Sequence, residues 1–305
     1  SKIPFLCDLK KEDVTVSRVF INVMLNNTKE KVYETYNLLS LNKENSLYYI
    51  DHINKKSNVA ELSLKGEGFL PEEVSFKNLN GGKNGILSIT PGDFLGHYHG
   101  LDDASGLGIF EGIKDVSLLA IPDLMAFEEI IESDNKQALD NIYTVQRAMI
   151  DQCERLDDNR FAILDCPTLP DFIKLMKWRE RFDSMFAAMY YPKIEMINPE
   201  DRQGLTTIYV PPSGHIAGTY IKCDNEEGVF RAPANKFIHG AVGVNLTVED
   251  EEYEVTYEKG INALQYLPGR GIRIWGARTL SSDVSWRYIN VRRTFSMIKN
   301  AVKDG

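Results

Sequence analysis

No stretch of this 305-residue chain comes near the roughly 20 consecutive apolar residues that a helix needs to cross a bilayer. Its opening, SKIPFLCDLKKED, lacks the basic start, apolar middle and small-residue cleavage site of a signal peptide. Cysteine is scarce and scattered. Cys7, Cys153, Cys166 and Cys223 form no C-x-x-C pair, which argues against a disulfide framework or a zinc site and for reduced cytosolic thiols. Basic charge is in deficit as well: 35 Lys and Arg face 44 Asp and Glu, a net charge of −9. That balance argues against a nucleic-acid binder, which needs a basic face without so large an acidic excess. Internal repeats and low-complexity tracts are also missing.

What remains is the composition of a soluble globular protein, 43% hydrophobic and 26% charged, long enough for one large or two ordinary domains. Its charge is segregated. Glu249, Asp250, Glu251, Glu252, Glu254 and Glu258 form a block with no base inside it, which by default is a solvated acidic loop. Arg270, Arg273, Arg278, Arg287, Arg292 and Arg293 face a single acid, Asp283. Within that basic stretch Ile272 and Ile274 alternate with Arg273 and Trp275, which predicts a strand between Gly271 and the Ser281–Asp283 turn. Trp286 to Asn290 reads as a second strand or a short lead-in. Val291, Phe295, Ile298 and Val302 then recur at helical spacing and predict an apolar helix face. An isolated arginine is usually a solvated edge. Six on a tryptophan-bearing platform read as a surface for a partner, because Trp and Arg dominate interface anchors. The acidic block on one copy and the arginine stretch on another are then complementary patches.

Coarse periodicity predicts the α/β class: a small α+β domain over residues 1–80 and a larger α/β core over 81–305 with a mixed, largely parallel sheet. In the first, Val19–Leu25 alternates as a strand closed at Asn26–Asn27. Val32–Leu39 and Asn58–Leu64 are further strands, and Ser46–Ile53 is a short helix with Asn54–Ser57 as its exit. Residues 65–82, punctuated by Gly66, Gly68, Pro71, Gly81 and Gly82, read as a linker. Beyond it come strand Val116–Ile121, helix Asn135–Glu154, strand Phe161–Leu164, a long helix Leu169–Met189, strands Met189–Ile194 and Thr206–Val210, and helix Pro211–Asp224.

Assembled chemical motifs are not found. His97 and His99 in GHYHG could reach one metal, but no third ligand sits at a completing spacing, although Asp102 and Asp103 lie close. Asp123 and Asp165 each end a predicted parallel strand, the edge where open α/β sheets place ligands. Helix or turn capping is the commoner role of such an aspartate. GGKNG and GLGIFEG lack phosphate-loop and dinucleotide spacing, and Ser213 next to His215 has no G-x-S-x-G elbow. The alternative to a non-enzymatic role is an α/β enzyme using these sheet-edge acids.

Several blocks resemble one family. VYETYNLLSLNKENSLYYIDHINKKSNVAEL, GGKNGILSITPGDFLG, SGLGIFEGIKDVSLLAIPD and PPSGHIAGTYIKCDNEEGVFRAPAN are similar to successive parts of contractile tail sheath proteins of phage tails and phage-tail-like injection systems. The most specific is GINALQYLPGRGIRIWGARTLSSDVSWRYINVRRTFSMI, with WGART at its centre. The resemblance implies a structural subunit without catalysis, cofactor or metal. Many copies, homo- or hetero-polymeric, would wrap an inner tube as a helical sheath and contract to drive it through a target envelope. It implies inner-tube, baseplate and terminator partners, and no nucleic acid or membrane anchor. Assembly would be cytoplasmic, followed by residence in a phage tail or tail-like particle. The family's N-terminal arm and its C-terminal region, after the helix that starts near Asn290, have no counterpart in the sequence as given. Under this resemblance the acidic block (Glu249, Asp250, Glu251, Glu252, Glu254) and the six arginines are candidate subunit contacts.

Overall fold

The computed structural model describes residues 18–24, 32–57, 62–63, 88–100, 102–130, 135–156, 160–169, 171–201, 203–248 and 250–304. The chain divides into two compact units, Ser1–Lys83 and Asn84–Gly305.

In the first unit, β1 (Arg18–Met24) pairs antiparallel with β2 (Val32–Ser40), and α1 (Tyr49–Lys56) follows. Tyr36, Leu39 and Ile53 form its buried centre, with Tyr49 and Leu62 against it. α1 starts and ends about one turn later than predicted, so Asn54 lies inside the helix. Its side chain donates to the Leu62 carbonyl (2.9 Å) and accepts from the Leu62 N–H (2.7 Å). The Asn26–Asn27 turn, most of Asn58–Leu64 and the 65–82 linker lie outside the described residues.

The second unit is built on a five-stranded sheet. In chain order its elements are α2 (Pro91–Leu95), β3 (Leu118–Ala120), α3 (Phe127–Ile130), α4 (Asn135–Leu156), β4 (Phe161–Asp165), α5 (Phe172–Arg179), β5 (Ala187–Tyr191), β6 (Ile194–Ile197), β7 (Thr207–Val210), α6 (Ser213–Glu226), β8 (Ala241–Val244), α7 (Asp250–Lys259), β9 (Ile261–Leu267), β10 (Gly271–Trp275) and α8 (Ile289–Asp304). Strand order is β10-β9-β5-β4-β3, with β3, β4, β5 and β9 parallel and β10 antiparallel at the edge. β4 is buried at every position, as a strand covered on both faces should be. Ala187 and Met189 of β5 face the core under α4 and α5, whereas Ala188 and Tyr190 face the core under α6. A second, antiparallel sheet has the order β7-β6-β8.

The long helix predicted over Leu169–Met189 is two elements. Asp171 caps α5 by accepting from the Lys174 N–H (2.8 Å), and the helix stops at Arg179. The buried Arg179 guanidinium then donates to the carbonyls of Phe182 (2.6 Å) and Leu280 (2.8 Å), which holds the turn into β5. A short apolar run such as FAAMYY fits helix and strand equally well, and neighbouring strands decided it. The single strand predicted over Met189–Ile194 is likewise divided between β5 and β6.

Candidate subunit-contact surface

The basic stretch begins on the β9–β10 hairpin, where Ile272 and Ile274 are buried as their alternation predicts and Trp275 is exposed. The chain then crosses back over β9. Asn262, fully buried on β9, accepts from the Arg278 N–H (2.7 Å) and donates to the carbonyls of Arg278 (2.8 Å) and Met189 (3.2 Å). One amide side chain thus joins β5, β9 and the WGART segment. Gly276 is required at this crossing, because a Cβ there would sit 2.8 Å from Asn262 Oδ1. Thr279 closes the loop, its N–H donating to the Arg287 carbonyl (2.8 Å) and its hydroxyl to the Trp286 carbonyl (2.7 Å).

The predicted exposed arginine platform is corrected for half of its members. Arg278, Arg292 and Arg293 are buried. Arg278 lies between the rings of Tyr257 and Tyr288, 5.0 and 5.7 Å from their centroids. Arg292 sits 4.7 Å from both Phe186 and Trp286 and donates to Ser296 Oγ (3.0 Å). Arg293 forms a two-pronged ion pair with Asp224 of α6 (2.8 and 2.5 Å) over the Tyr220 ring. Two of these arginines lie on the buried side of the last helix. α8 buries Ile289, Arg292, Arg293 and Ser296 and turns Phe295, Ile298 and Val302 to solvent. Of the predicted Trp286–Asn290 lead-in, Trp286 ends a 3-10 turn (Val284–Trp286), Tyr288 makes one bridge to Arg278, and Asn290 already lies in α8. Arg270 is exposed, while Arg273 and Arg287 are half-buried. Arg273 donates to the Asn235 carbonyl (2.6 Å).

The acidic block is a helix, not the default loop. Placing Glu252 in the first turn of α7 sets a carboxylate near the positive end of the helix dipole. Tyr253 and Thr256, three apart, are buried, and Tyr253 packs against Val248 and Ala263. Glu254 and Glu258 are exposed and Glu252 is half-buried; Glu249 lies outside the described residues. Lys259 pairs at 3.2 Å with Glu180, the residue that follows α5.

Residues 129–280 match the family described as the phage tail sheath protein central domain. The chain belongs to the tail sheath family. It is 29% identical over 165 residues to a prophage major tail sheath protein of Pseudomonas aeruginosa (strain UCBPP-PA14), covering 53% of this chain and 41% of that one. It is 33% identical over 101 residues to the tail sheath protein of Vibrio phage KVP40, covering 32% and 15%. Its fold is similar to a chain of the PVC sheath complex, an extracellular contractile injection system, in the contracted state. That likeness has 26% identity and a TM-score of 0.50, covering 64% of this chain and 49% of that one. The matches span about two fifths of the Pseudomonas protein and half of the injection-system chain. The sheath central domain here ends at Leu280, whose N–H donates to the Ala187 carbonyl (2.9 Å), so its last residue is tied to the middle of the sheet.

The other chemical candidates are spread over separate places in the second unit. Asp165, inside the central domain, is buried at the end of β4 and accepts from the Ser213 N–H (2.8 Å) at the start of α6. Asp123 is exposed in a 3-10 turn. A cavity of 290 Å³ lined by His97, Glu111, Gln152 and Arg155, among others, includes neither aspartate. His97 bonds Asp103 (2.8 Å) through Nε2 and Ser105 Oγ (2.9 Å) through Nδ1. No local motif marks this trio in the sequence, because a loop closing over six to eight residues brings the three side chains together. Ser105 Oγ also accepts from the His97 N–H (3.3 Å), and the Ser105 N–H donates to the His97 carbonyl (2.9 Å), so the trio pins one loop. Among the described residues no group of three or more His, Cys, Asp or Glu side chains could hold a metal ion.

Burial pushes the Asp165 carboxyl up to about 7, opposed by its hydrogen bonds to Ser213 and by Lys193. A raised folded-state pKa means the folded chain keeps a proton that the unfolded chain releases. Stability is therefore lost as pH rises from about 4 to about 7, by roughly 4 kcal/mol at most. Asp165→Asn keeps an acceptor for Ser213 and removes the titration. Its unfolding free energy is expected to vary less than the parent's over that interval, and to exceed the parent's at about pH 8. Parallel urea-denaturation profiles for the two proteins would contradict this.

Proposed function

We propose that the chain is a structural subunit of a helical contractile tail sheath that surrounds an inner tube and contracts to drive it through a target envelope. The fold shared at 26% identity with a subunit of a contracted sheath complex carries the reading. A helical array needs heterologous contacts that do not close on themselves. Exchangeable polar patches suit a lattice that changes its pitch. The positions proposed for such contacts are the outer face of α7, with Glu254 and Glu258, and the arginines that still reach the surface, Arg270, Arg273 and Arg287. In this reading residues 1–80 are the small sheath domain and 81–305 the core. Other sheath subunits, the inner tube, the baseplate and a terminator are the partners, and no catalysis is required. Assembly takes place in the cytoplasm, before incorporation into a phage tail or tail-like particle.

Electron microscopy of the purified full chain at high concentration tests the reading. Hollow tubes or rings are expected, and a purely monomeric population would end it. In the same assay Arg270→Glu combined with Arg287→Glu is expected to lower the sedimenting fraction about tenfold, equivalent to about 1.4 kcal/mol per contact. The melting temperature should change little, because neither guanidinium is buried. Wild-type sedimentation of this variant would remove these two arginines from the contact.

A further inference from the structure

Five arginines are buried among the described residues: Arg160, Arg179, Arg278, Arg292 and Arg293. Arg160 donates to the Ile113 carbonyl, Arg179 to the carbonyls of Phe182 and Leu280, Arg292 to Ser296 Oγ, and Arg293 to both carboxylate oxygens of Asp224. Arg278 is the exception. It is 8% exposed, its Nε has no hydrogen-bond partner, and its guanidinium meets no carboxylate or carbonyl oxygen among the described residues. It has only the rings of Tyr257 and Tyr288, which are themselves 40% and 43% exposed. Rings offset part of the cost of burying a cation but supply no oxygen for its N–H groups.

The surrounding charge deepens the shortage. Burial lowers the pKa of the neighbouring Arg179, and the positive charge of Arg278 lowers it further against the opposing pull of Asp183. Asp183 is already committed to Ser282, accepting from its N–H (2.9 Å) and its hydroxyl (2.6 Å). Glu254 and Glu258 share α7 with Tyr257 and are exposed, yet neither pairs with Arg278. A buried charge without a counter-charge is costly, and an arriving anion relieves that cost.

The position is fixed in advance. Asn262 holds the Arg278 N–H and carbonyl, and a bridge ties the residue to Tyr288. Little freedom is left to lose on binding. The capacity is one charge, because Arg179 already donates to two carbonyls. A planar monoanion matches the single free fork of Arg278, whereas a phosphate monoester of about −1.5 to −2 charge needs a second cation.

We propose that Arg278, set between Tyr257 and Tyr288, is a receptor for a single carboxylate group. The carboxylate comes either from an acidic side chain of a second copy of this chain or from a free carboxylate compound. The proposal stands apart from the sheath reading, since a free carboxylate would fill the site in a chain that never polymerises.

The test uses the full chain with isotope-labelled arginine and follows the Nε–H resonance of Arg278 by nuclear magnetic resonance. At fixed ionic strength, acetate is expected to move this resonance along a saturating curve with a midpoint on the order of 10 mM. The resonance of the exposed Arg270 should stay in place. Without acetate, a shift that grows with protein concentration assigns the carboxylate to a second copy. A shift seen only with acetate assigns it to a free compound. No saturable shift by either route overturns the proposal, and inorganic phosphate acting at lower concentration than acetate overturns the choice of a carboxylate. Arg278→Met removes the cation and keeps most of the packing. Without acetate its melting temperature is expected to match or exceed the parent's, because an unpaired charge has gone. A fall of about 5 °C or more would count against the proposal, by showing that the two rings alone account for the arginine.

Discussion

Replacing Asn262 by leucine is expected to cost about 4 kcal/mol of folding stability, read as a fall in the urea midpoint at unchanged slope. Leucine has asparagine's branching and number of side-chain heavy atoms, so no cavity is left; its bulkier methyl groups add an overpacking cost to the lost hydrogen bonds. Three are removed, two from the backbone of Arg278 and one from the Met189 carbonyl. Each buried group left without a partner costs about 1–3 kcal/mol. The site cannot be rehydrated cheaply, because Asn262, Arg278 and Thr279 are all buried. Against a typical net stability of about 5–15 kcal/mol, the loss is a large fraction. It should also loosen WGART as a unit, so amide exchange would accelerate at Arg278, Thr279 and Leu280 ahead of β4. A midpoint within experimental scatter of the parent's would mean that Asn262 does not hold the crossing together.

The second large effect is expected at the buried ion pair between α6 and α8. Arg293→Ala and Asp224→Ala should each destabilise by about 3–5 kcal/mol, because either truncation leaves a buried charge unpaired. The double variant should cost clearly less than the sum of the two. That non-additivity separates a true pair from two independent packing losses, and a double-mutant cycle measures it. Arg293→Lys should not rescue fully, since an ammonium cannot reproduce the two-pronged geometry over Tyr220. Additive single costs would show that the arginine acts through its packing alone.

Much of the core was legible along the chain. The continuous apolar run Phe161–Leu164, the period of Asn135–Glu154 and the alternation around Ile272 and Ile274 each led to the right element, because burial on both faces, on one stripe or on alternate positions leaves its own period. The acidic block misled because its charge hid two anchors, Tyr253 and Thr256, one helical turn apart. The 169–189 segment misled because an eight-residue amphipathic helix and a five-residue apolar strand lie only seven residues apart. α8 misled most. Its helical period was correct, but the period did not reveal that Arg292, Arg293 and Ser296 are the residues it buries.

The amino-acid sequence alone determined where most helices and strands lie and, through WGART and its neighbouring blocks, the family. Those are local properties, set by side-chain periodicity and by short backbone requirements such as the glycine at 276. Only the tertiary structure decided which arginines face a partner and which face the interior. A guanidinium can be buried only where an acid, a ring or a carbonyl is waiting for it. For Arg293 that partner, Asp224, is 69 residues away in the chain, and for Arg292 the Met185 sulfur is 107 away. Such pairings carry no periodic signal, so the sequence recorded six arginines and the fold sorted them.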